Sequence, residues 1–399
     1  MSALESQLTA LIQAEIPSLV QIRHELHENP GVNFQETYAS ALVQRELGQA
    51  GVAYRSGLGG GTGVVAHLPG AEAQAIGLRA DIDALPIEEQ NDFAYISKSP
   101  GVMHACGHDG HTTILIGVAR VLAKIAKQRP LPRPVTFIFQ PAEEVGAGAD
   151  RMIADGCLDG SLFAPPVRHM FALHGWPTLP QGYIATRVGP MMAATYSFRV
   201  KITGKGCHAA FPHLGRDPLV AAAAIITAAQ TIVARNVDPL SAAVVSVTQC
   251  HSGTTFNIIP GEVVLEGTIR ALDKAVEELV IRRFHEIAQH IAAAHECVAE
   301  IEYPAPPYPV AINSAEAVGV LKSVLPETNT DMLPVMGGED FAFYSQKVPS
   351  AFFVLGLQSG PEKMAGLHHP KFDFNDQVIP AGIEAFCRLA LRTAERDAR

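Results

Sequence analysis

No apolar run in the sequence is long enough to span a bilayer. The longest, Leu219 to Ala234, carries Thr227 and Gln230 and falls short of the ~20 residues a spanning helix needs, so it reads as a buried helix. The start, MSALESQLTALIQAEIPSLV, lacks a basic segment and places Glu5 and Glu15 where a secretory signal would be apolar. The six cysteines (Cys106, Cys157, Cys207, Cys250, Cys297, Cys387) form no CxxC pair, and a chain of 399 residues needs no disulfide staples. That scatter suits a reducing compartment, and the expectation is a cytoplasmic protein. Basic clusters are absent too. With 40 acidic against 30 basic residues and a net charge of -10, a nucleic-acid partner is excluded.

Common catalytic signatures are missing as well. No GxSxG occurs, which removes the simplest serine hydrolase. HELH at 24–27 and HEIAQH at 285–290 space their histidines three and five apart, whereas the zincin pair needs four; both read as solvated helix faces. GLGGGTG at 57–63 departs from GxGxxG and precedes a strand, so no dinucleotide site is expected.

What is present is an α/β pattern. Residues 3–28 and 37–50 carry helical spacing, followed by short apolar runs at 63–68, 75–81 and 134–140, a weaker one at 171–174, and a helix of about 111–127. Such alternation predicts a mostly parallel central sheet flanked by helices. The pattern then changes. A strand at 195–204, an Ala-rich helix at about 217–234, the strands SAAVVSVTQ and GEVVLEGTIRA, a helix at about 274–296 and a strand near 298–303 match the split βαβ, ferredoxin-like α+β sandwich. PAPPYP at 304–309 marks its exit, and helix–strand–helix resumes at 314–325, 350–356 and 380–397. The expected organisation is a discontinuous catalytic domain, 1–185 and 304–399, carrying an inserted lid or dimerisation domain at 186–303.

Polar chemistry collects after the strands. Asp81 and Asp83 follow one, Glu143 and Glu144 another, His174 closes a third, and HACGHDGH (104–111) precedes a helix. Groups past the carboxyl ends of parallel strands gather in one crevice. Cys106 and His108 suit a borderline ion such as zinc, and the carboxylates also admit manganese or cobalt. Adjacent residues on an extended segment point in opposite directions, so one of Glu143 and Glu144 can bind metal while the other faces a water. That division serves metal-assisted hydrolysis.

At these residues the chain resembles the aminoacylase-like dinuclear metallopeptidases, in the branch of hippurate hydrolases and plant auxin–amino-acid conjugate hydrolases. RHELHENPG, LRADIDALPI, MHACGHDGHTT, FQPAEE with GADRMIADG, ALHGWP, GKGCHAAFPH, GTTFNIIPG with EGTIRA, MGGEDFAFY and LHHPKFDFND carry the resemblance, in family order over about nine-tenths of the chain. It implies two divalent ions (Zn, Mn, Co or Ni) held by Cys106, His108, Glu144, His174 and His368, with Cys106 bridging where wider relatives use aspartate. It gives Glu143 the role of general base and acid. Asp81 stands where those relatives place a ligand histidine, and Asp83 is the acid beneath the site. His208 matches a histidine that steadies the oxyanion, usually in the partner subunit's site, which implies a homodimer or higher oligomer. Asn257 and Arg270 match positions near the substrate. Two departures stand out: Cys207 replaces the usual Gly before His208, and LHHP leaves His369 beside His368.

The implied reaction is hydrolysis of N-acyl amino acids, hippurate-like or N-acetylated, to a carboxylate and a free amino acid. The competing expectations are a di- or carboxypeptidase of the same superfamily, a non-catalytic binding protein on the same fold, and a thiol hydrolase using Cys106.

Overall fold

The computed structural model describes residues 3–360 and 363–392. The chain divides into two compact units, Met1–Met191 with Ile312–Leu333 and Asp340–Arg399, and Met192–Ala311 with Pro334–Glu339.

The first unit holds α1 (Ala3–Glu28), α2 (Thr37–Ala50), β1 (Ala53–Leu58), β2 (Gly63–Leu68), β3 (Ala75–Asp81), α3 (His108–Ala126), β4 (Val135–Gln140), α4 (Gly148–Ala154) and β5 (Val167–Pro180). A strand Ser350–Gln358 and a helix Ile379–Ala390 complete its frame. The strands form a seven-stranded mixed sheet in the order β1, β2, β4, β3, β5, Ser350–Gln358, Ile184–Ala185. The run from β4 to Ser350–Gln358 is parallel, while β1, β2 and Ile184–Ala185 add antiparallel edges. β3 and β4 are buried throughout, as continuous apolar strands covered on both faces must be. Their cover is helical. Leu19 and Leu26 of α1, Leu42 and Val43 of α2, Leu115 and Leu122 of α3, and Ile383 and Phe386 of the last helix share one core with Leu78, Phe137, Phe171 and Phe353 of the strands.

One strand has no counterpart in the sequence reading, and two boundaries differ from it. β1, AYRSGL, shows no apolar alternation because it is an exposed edge strand. β5 runs from Val167 to Pro180 instead of ending at His174, since Ser350–Gln358 pairs alongside it from Met170 to Pro180. α3 begins at His108, inside the HACGHDGH motif: Gly107 adopts φ 89° and its carbonyl accepts from the amides of Gly110 and His111. A side chain at Gly107 would strain that left-handed turn. Of the helix expected at 380–397, residues 393–397 lie outside the described residues.

The second unit is an antiparallel sheet in the order Ala243–Ser252, Glu262–Ala271, Ala194–Thr203, Val298–Glu302. Helices Pro218–Thr231 and Lys274–Ala294 cover one face through Ala221, Ile225, Ala229, Val280, Phe284 and Ala288, which meet Phe198, Val200, Val263 and Leu265. Pro218–Thr231 is not the fully buried helix its composition suggests. Its alanines let it lie close on the sheet, while Leu219 and Val220 on the other side are exposed.

Candidate metal centre

The parallel strands deliver their polar ends to one place. Asp81 is the last residue of β3, and Asp83 follows it. Pro141 and Ala142 lead from β4 into Glu143 and Glu144, His174 sits on β5, and Cys106 and His108 flank the Gly107 turn at the start of α3. His368 arrives from a distant loop in a left-handed conformation (φ 61°), pinned by its amide donating to the carbonyl of Ala105, 2.8 Å away. Its neighbour His369 is exposed and accepts from the amide of Lys371 through Nδ1.

Six of the side chains singled out in the sequence converge. Cys106, His108 and His174 place ligand atoms within 4.8 Å of one another, as do Cys106, Glu144 and His368, and as do His108, Glu143 and Glu144. Cys106 is common to the first two sets. Its Sγ lies 3.4 Å from His174 Nε2, and His368 Nε2 lies 3.2 Å from Glu144 Oε1. Asp83 ties two segments together: Oδ1 lies 3.1 Å from His108 Nδ1, and Oδ2 accepts from the Glu144 amide at 3.1 Å. The Glu143 carboxylate is buried, with the Asp340 amide 3.3 Å from Oε1.

Below them Asp81 joins a layer whose other members, Arg79, His111, Gln140 and Asp340, were not singled out from sequence. The Asp81 carboxylate is shared between Arg79 Nη1 at 2.6 Å and His111 Nδ1 at 2.7 Å. His111 Nε2 accepts from the Gly175 amide at 2.8 Å, so both ring nitrogens of His111 are engaged. Arg79 also reaches Gln140 and Asp340, and Asp340 accepts from Gln140 and the Ala149 amide. A charged residue inside an apolar strand signal (AIGLRAD) was the available clue: an arginine there must be paired.

HELH also needs correcting. It is not a solvated face. His27 is fully buried, with Nδ1 2.8 Å from Asp109 and Nε2 3.1 Å from Glu89, while the adjoining Arg23 is buried against Asp109, Asp373 and Asp376. His285, in HEIAQH, is half-buried against the Tyr303 hydroxyl at 2.8 Å. Burial opposes charge on His27, but its hydrogen bonds to Asp109 and Glu89 outweigh that and raise it to about 9. A raised folded-state value contributes stability that is complete below the unfolded value of ~6.5 and is lost as pH rises through about 9. The melting temperature is therefore expected to fall between pH 7 and 9.5, and less so in His27→Gln. Parallel declines in both proteins contradict this assignment.

The remaining candidates lie in the second unit. His208 pairs with Ile258 across a two-residue ladder, and the Ala209 amide donates to the Asn257 carbonyl at 2.9 Å, so His208 and Asn257 are exposed neighbours on two paired segments. Arg270 stands on Glu262–Ala271, half-buried, with Nη1 3.1 Å from the Ile269 carbonyl.

The pattern of Peptidase family M20/M25/M40 matches residues 77–392. The chain belongs to that family. The M20 chain is 39% identical over 365 residues to N-acetyl-L-cysteine deacetylase of Bacillus subtilis (strain 168), covering 90% of this chain and 84% of that protein. It is 38% identical to IAA-amino acid hydrolase ILR1-like 5 of Arabidopsis thaliana, over 94% and 86% of the two chains. The crystal structure of a Bacillus subtilis protein described as a dinuclear metal binding peptidase from M20 family superposes with a TM-score of 0.79 at 34% identity, over 95% and 98%.

The residues of the M20 chain fit divalent cations. His108 Nε2 is buried with no hydrogen-bond partner, while Nδ1 is fixed by the carbonyl and carboxylate of Asp83, an arrangement that aims Nε2 at a position where a cation would take the place of its proton. Burial, then the carboxylates of Glu144, Glu143 and Asp81, push the Cys106 thiol well above its ordinary value. Burial works against a charged His108, yet Asp81, Asp83 and Glu144 prevail and raise it to about 10. Burial and the neighbouring His111 hold His174 well below the usual imidazole range, so it is neutral. So many acids around soft donors is a site built for added positive charge.

Proposed function

We propose that the protein cleaves the amide bond of N-acyl amino acids, with Glu143 as general base and acid beside two divalent ions. Cys106, His108, Glu144, His174 and His368 would hold those ions, Cys106 serving both. The observation that carries this reading is that one thiol belongs to two ligand sets while a second, separately held carboxylate lies beside them. When bound, the ions supply positive charge that polarises the scissile carbonyl and acidifies water.

The chain's own residues supply the rest. Glu143 takes a proton from water and returns it to the departing nitrogen; its buried carboxylate is kept in place by the Asp340 amide. Asp83 orients His108 and the Glu144 backbone at once. His208 is proposed to steady the oxyanion, and Asn257 and Arg270 to meet the substrate. One of the two relatives is a deacetylase of N-acetyl-L-cysteine and the other a hydrolase of IAA-amino acids, which supports the choice of N-acyl over unblocked substrates. A cytoplasmic setting is part of the same proposal, and the six unpaired cysteines are compatible with it.

The test is a panel of N-acetyl and N-benzoyl amino acids against unblocked dipeptides, each with manganese, zinc, cobalt or nickel. The N-acyl set is expected to exceed the dipeptides in kcat/KM by roughly tenfold or more, and His208→Ala is expected to lower kcat on the best substrate. Faster release from the dipeptides would reassign the enzyme as a peptidase. No turnover with any metal would leave a binding protein.

A further inference from the structure

The residue just before the glutamate pair is held in a conformation its side chain disfavours. Ala142 has φ 53°, in the left-handed region that a Cβ makes unfavourable, and such backbone persists only where its surroundings fix it. Two kinds of contact do so. Its carbonyl accepts from the amides of Gly146 and Gly148, at 3.1 and 3.2 Å. Its own amide donates to Glu36 Oε1 at 3.0 Å, across 106 residues of sequence. Glu36 is fully buried. The same Oε1 accepts from the amide of Phe34, itself left-handed at φ 64°, and Oε2 accepts from the Thr62 hydroxyl at 2.6 Å. Every contact is to a neutral donor, and burial raises the Glu36 carboxyl above its ordinary value. Its use here is geometric.

We propose that Glu36 is a positioning residue for hydrolysis: by tethering the Ala142 amide it fixes the strained turn that aims Glu143 and Glu144. The inference rests on the roles given above to those two glutamates. Without the tether Ala142 relaxes toward right-handed or extended backbone, and both following side chains rotate away together. A glycine at 142 enters the left-handed region freely, so it needs the tether less. Glutamine at 36 keeps an acceptor for the two amides, and the Thr62 hydroxyl can turn to accept from its NH2 group.

The experiment compares Glu36→Ala, Glu36→Gln, Ala142→Gly and the double variant Glu36→Ala/Ala142→Gly in the full chain. Three quantities are read: kcat and KM, Zn2+ affinity by competition with a chromophoric chelator, and melting temperature. Glu36→Ala is expected to lose on the order of 10- to 100-fold in kcat with KM little changed, and about tenfold in Zn2+ affinity. Glu36→Gln should stay within roughly threefold of wild type in both. The double variant should recover most of the kcat lost by Glu36→Ala. A Glu36→Ala protein that melts earlier but keeps its kcat and Zn2+ affinity overturns the proposal, as does a double variant no better than the single one. If Glu36→Ala does not fold, Glu36→Asp replaces it, its carboxylate being one methylene too short to reach Ala142; wild-type kcat and Zn2+ affinity in that variant are equally fatal. The zinc arm uses no substrate, so it decides the tether even if the proposed reaction is wrong.

Discussion

Replacing Glu143 by glutamine is expected to leave the bound ions in place and lower kcat by ~10^3- to 10^4-fold. In barrier terms that is about 4 to 5.5 kcal/mol. Glutamine matches glutamate in shape and still accepts the Asp340 amide, so the turn that also carries Glu144 keeps its form. What it cannot do is take a proton. Because the carboxylate would act on water before the amide breaks and on the nitrogen afterwards, one substitution removes both transfers. Metal content from elemental analysis, set beside kcat on the best N-acyl substrate, measures the two consequences separately. A variant near wild-type rate means the base lies elsewhere. A variant that has lost its metal means Glu143 and Glu144 have exchanged roles.

Cys106→Ala should be at least as severe, for a different reason. The sulfur belongs both to the set with His108 and His174 and to the set with Glu144 and His368. Removing it strips a ligand from each, and any cation lost with it leaves the carboxylates of Glu144, Glu143 and Asp81 without that positive charge. Less than one tightly held ion per chain and a loss of ~10^3-fold or more in kcat are expected. Cys106→Asp separates the metal role from a nucleophilic one. A carboxylate can bridge two cations, so this variant should keep both ions and exceed Cys106→Ala in kcat by roughly tenfold or more. For a thiol hydrolase the two variants would be equally dead, and strong chelators would leave the wild type fully active.

Much of this arrangement is legible in the order of residues, because a parallel sheet turns strand order into spatial proximity. Asp81 and Asp83 after AIGLR, and Glu143 and Glu144 after VTFIFQ, are placed together once those runs are read as buried strands. Cys106 and His108 join them because a glycine-rich turn starts the next helix. His368 is different: nothing local marks it, and only the family resemblance singled it out. Its φ of 61° and the hydrogen bond its amide donates to the Ala105 carbonyl depend on chain more than 250 residues away.

The misreadings share one physical cause. Whether a polar side chain is solvated or buried depends on partners that spacing does not reveal. Arg23 and His27 lie on a helix that looks amphipathic, yet Asp109, Asp373 and Glu89 draw them inside. His111 stands in the same motif as His108, but its two nitrogens are committed to Asp81 and Gly175, a distinction only coordinates make. Glu36 seems an ordinary acid before a helix until the Ala142 amide is found on its carboxylate.

The most direct measurement is X-ray diffraction from the metal-loaded protein at the absorption edge of the bound ion. Two anomalous peaks are expected, each within bonding distance of Cys106 Sγ, one near His108 and His174 and the other near Glu144 and His368, with Glu143 bound to neither. A single peak away from Cys106, or none in protein that turns over N-acyl amino acids, would contradict the account.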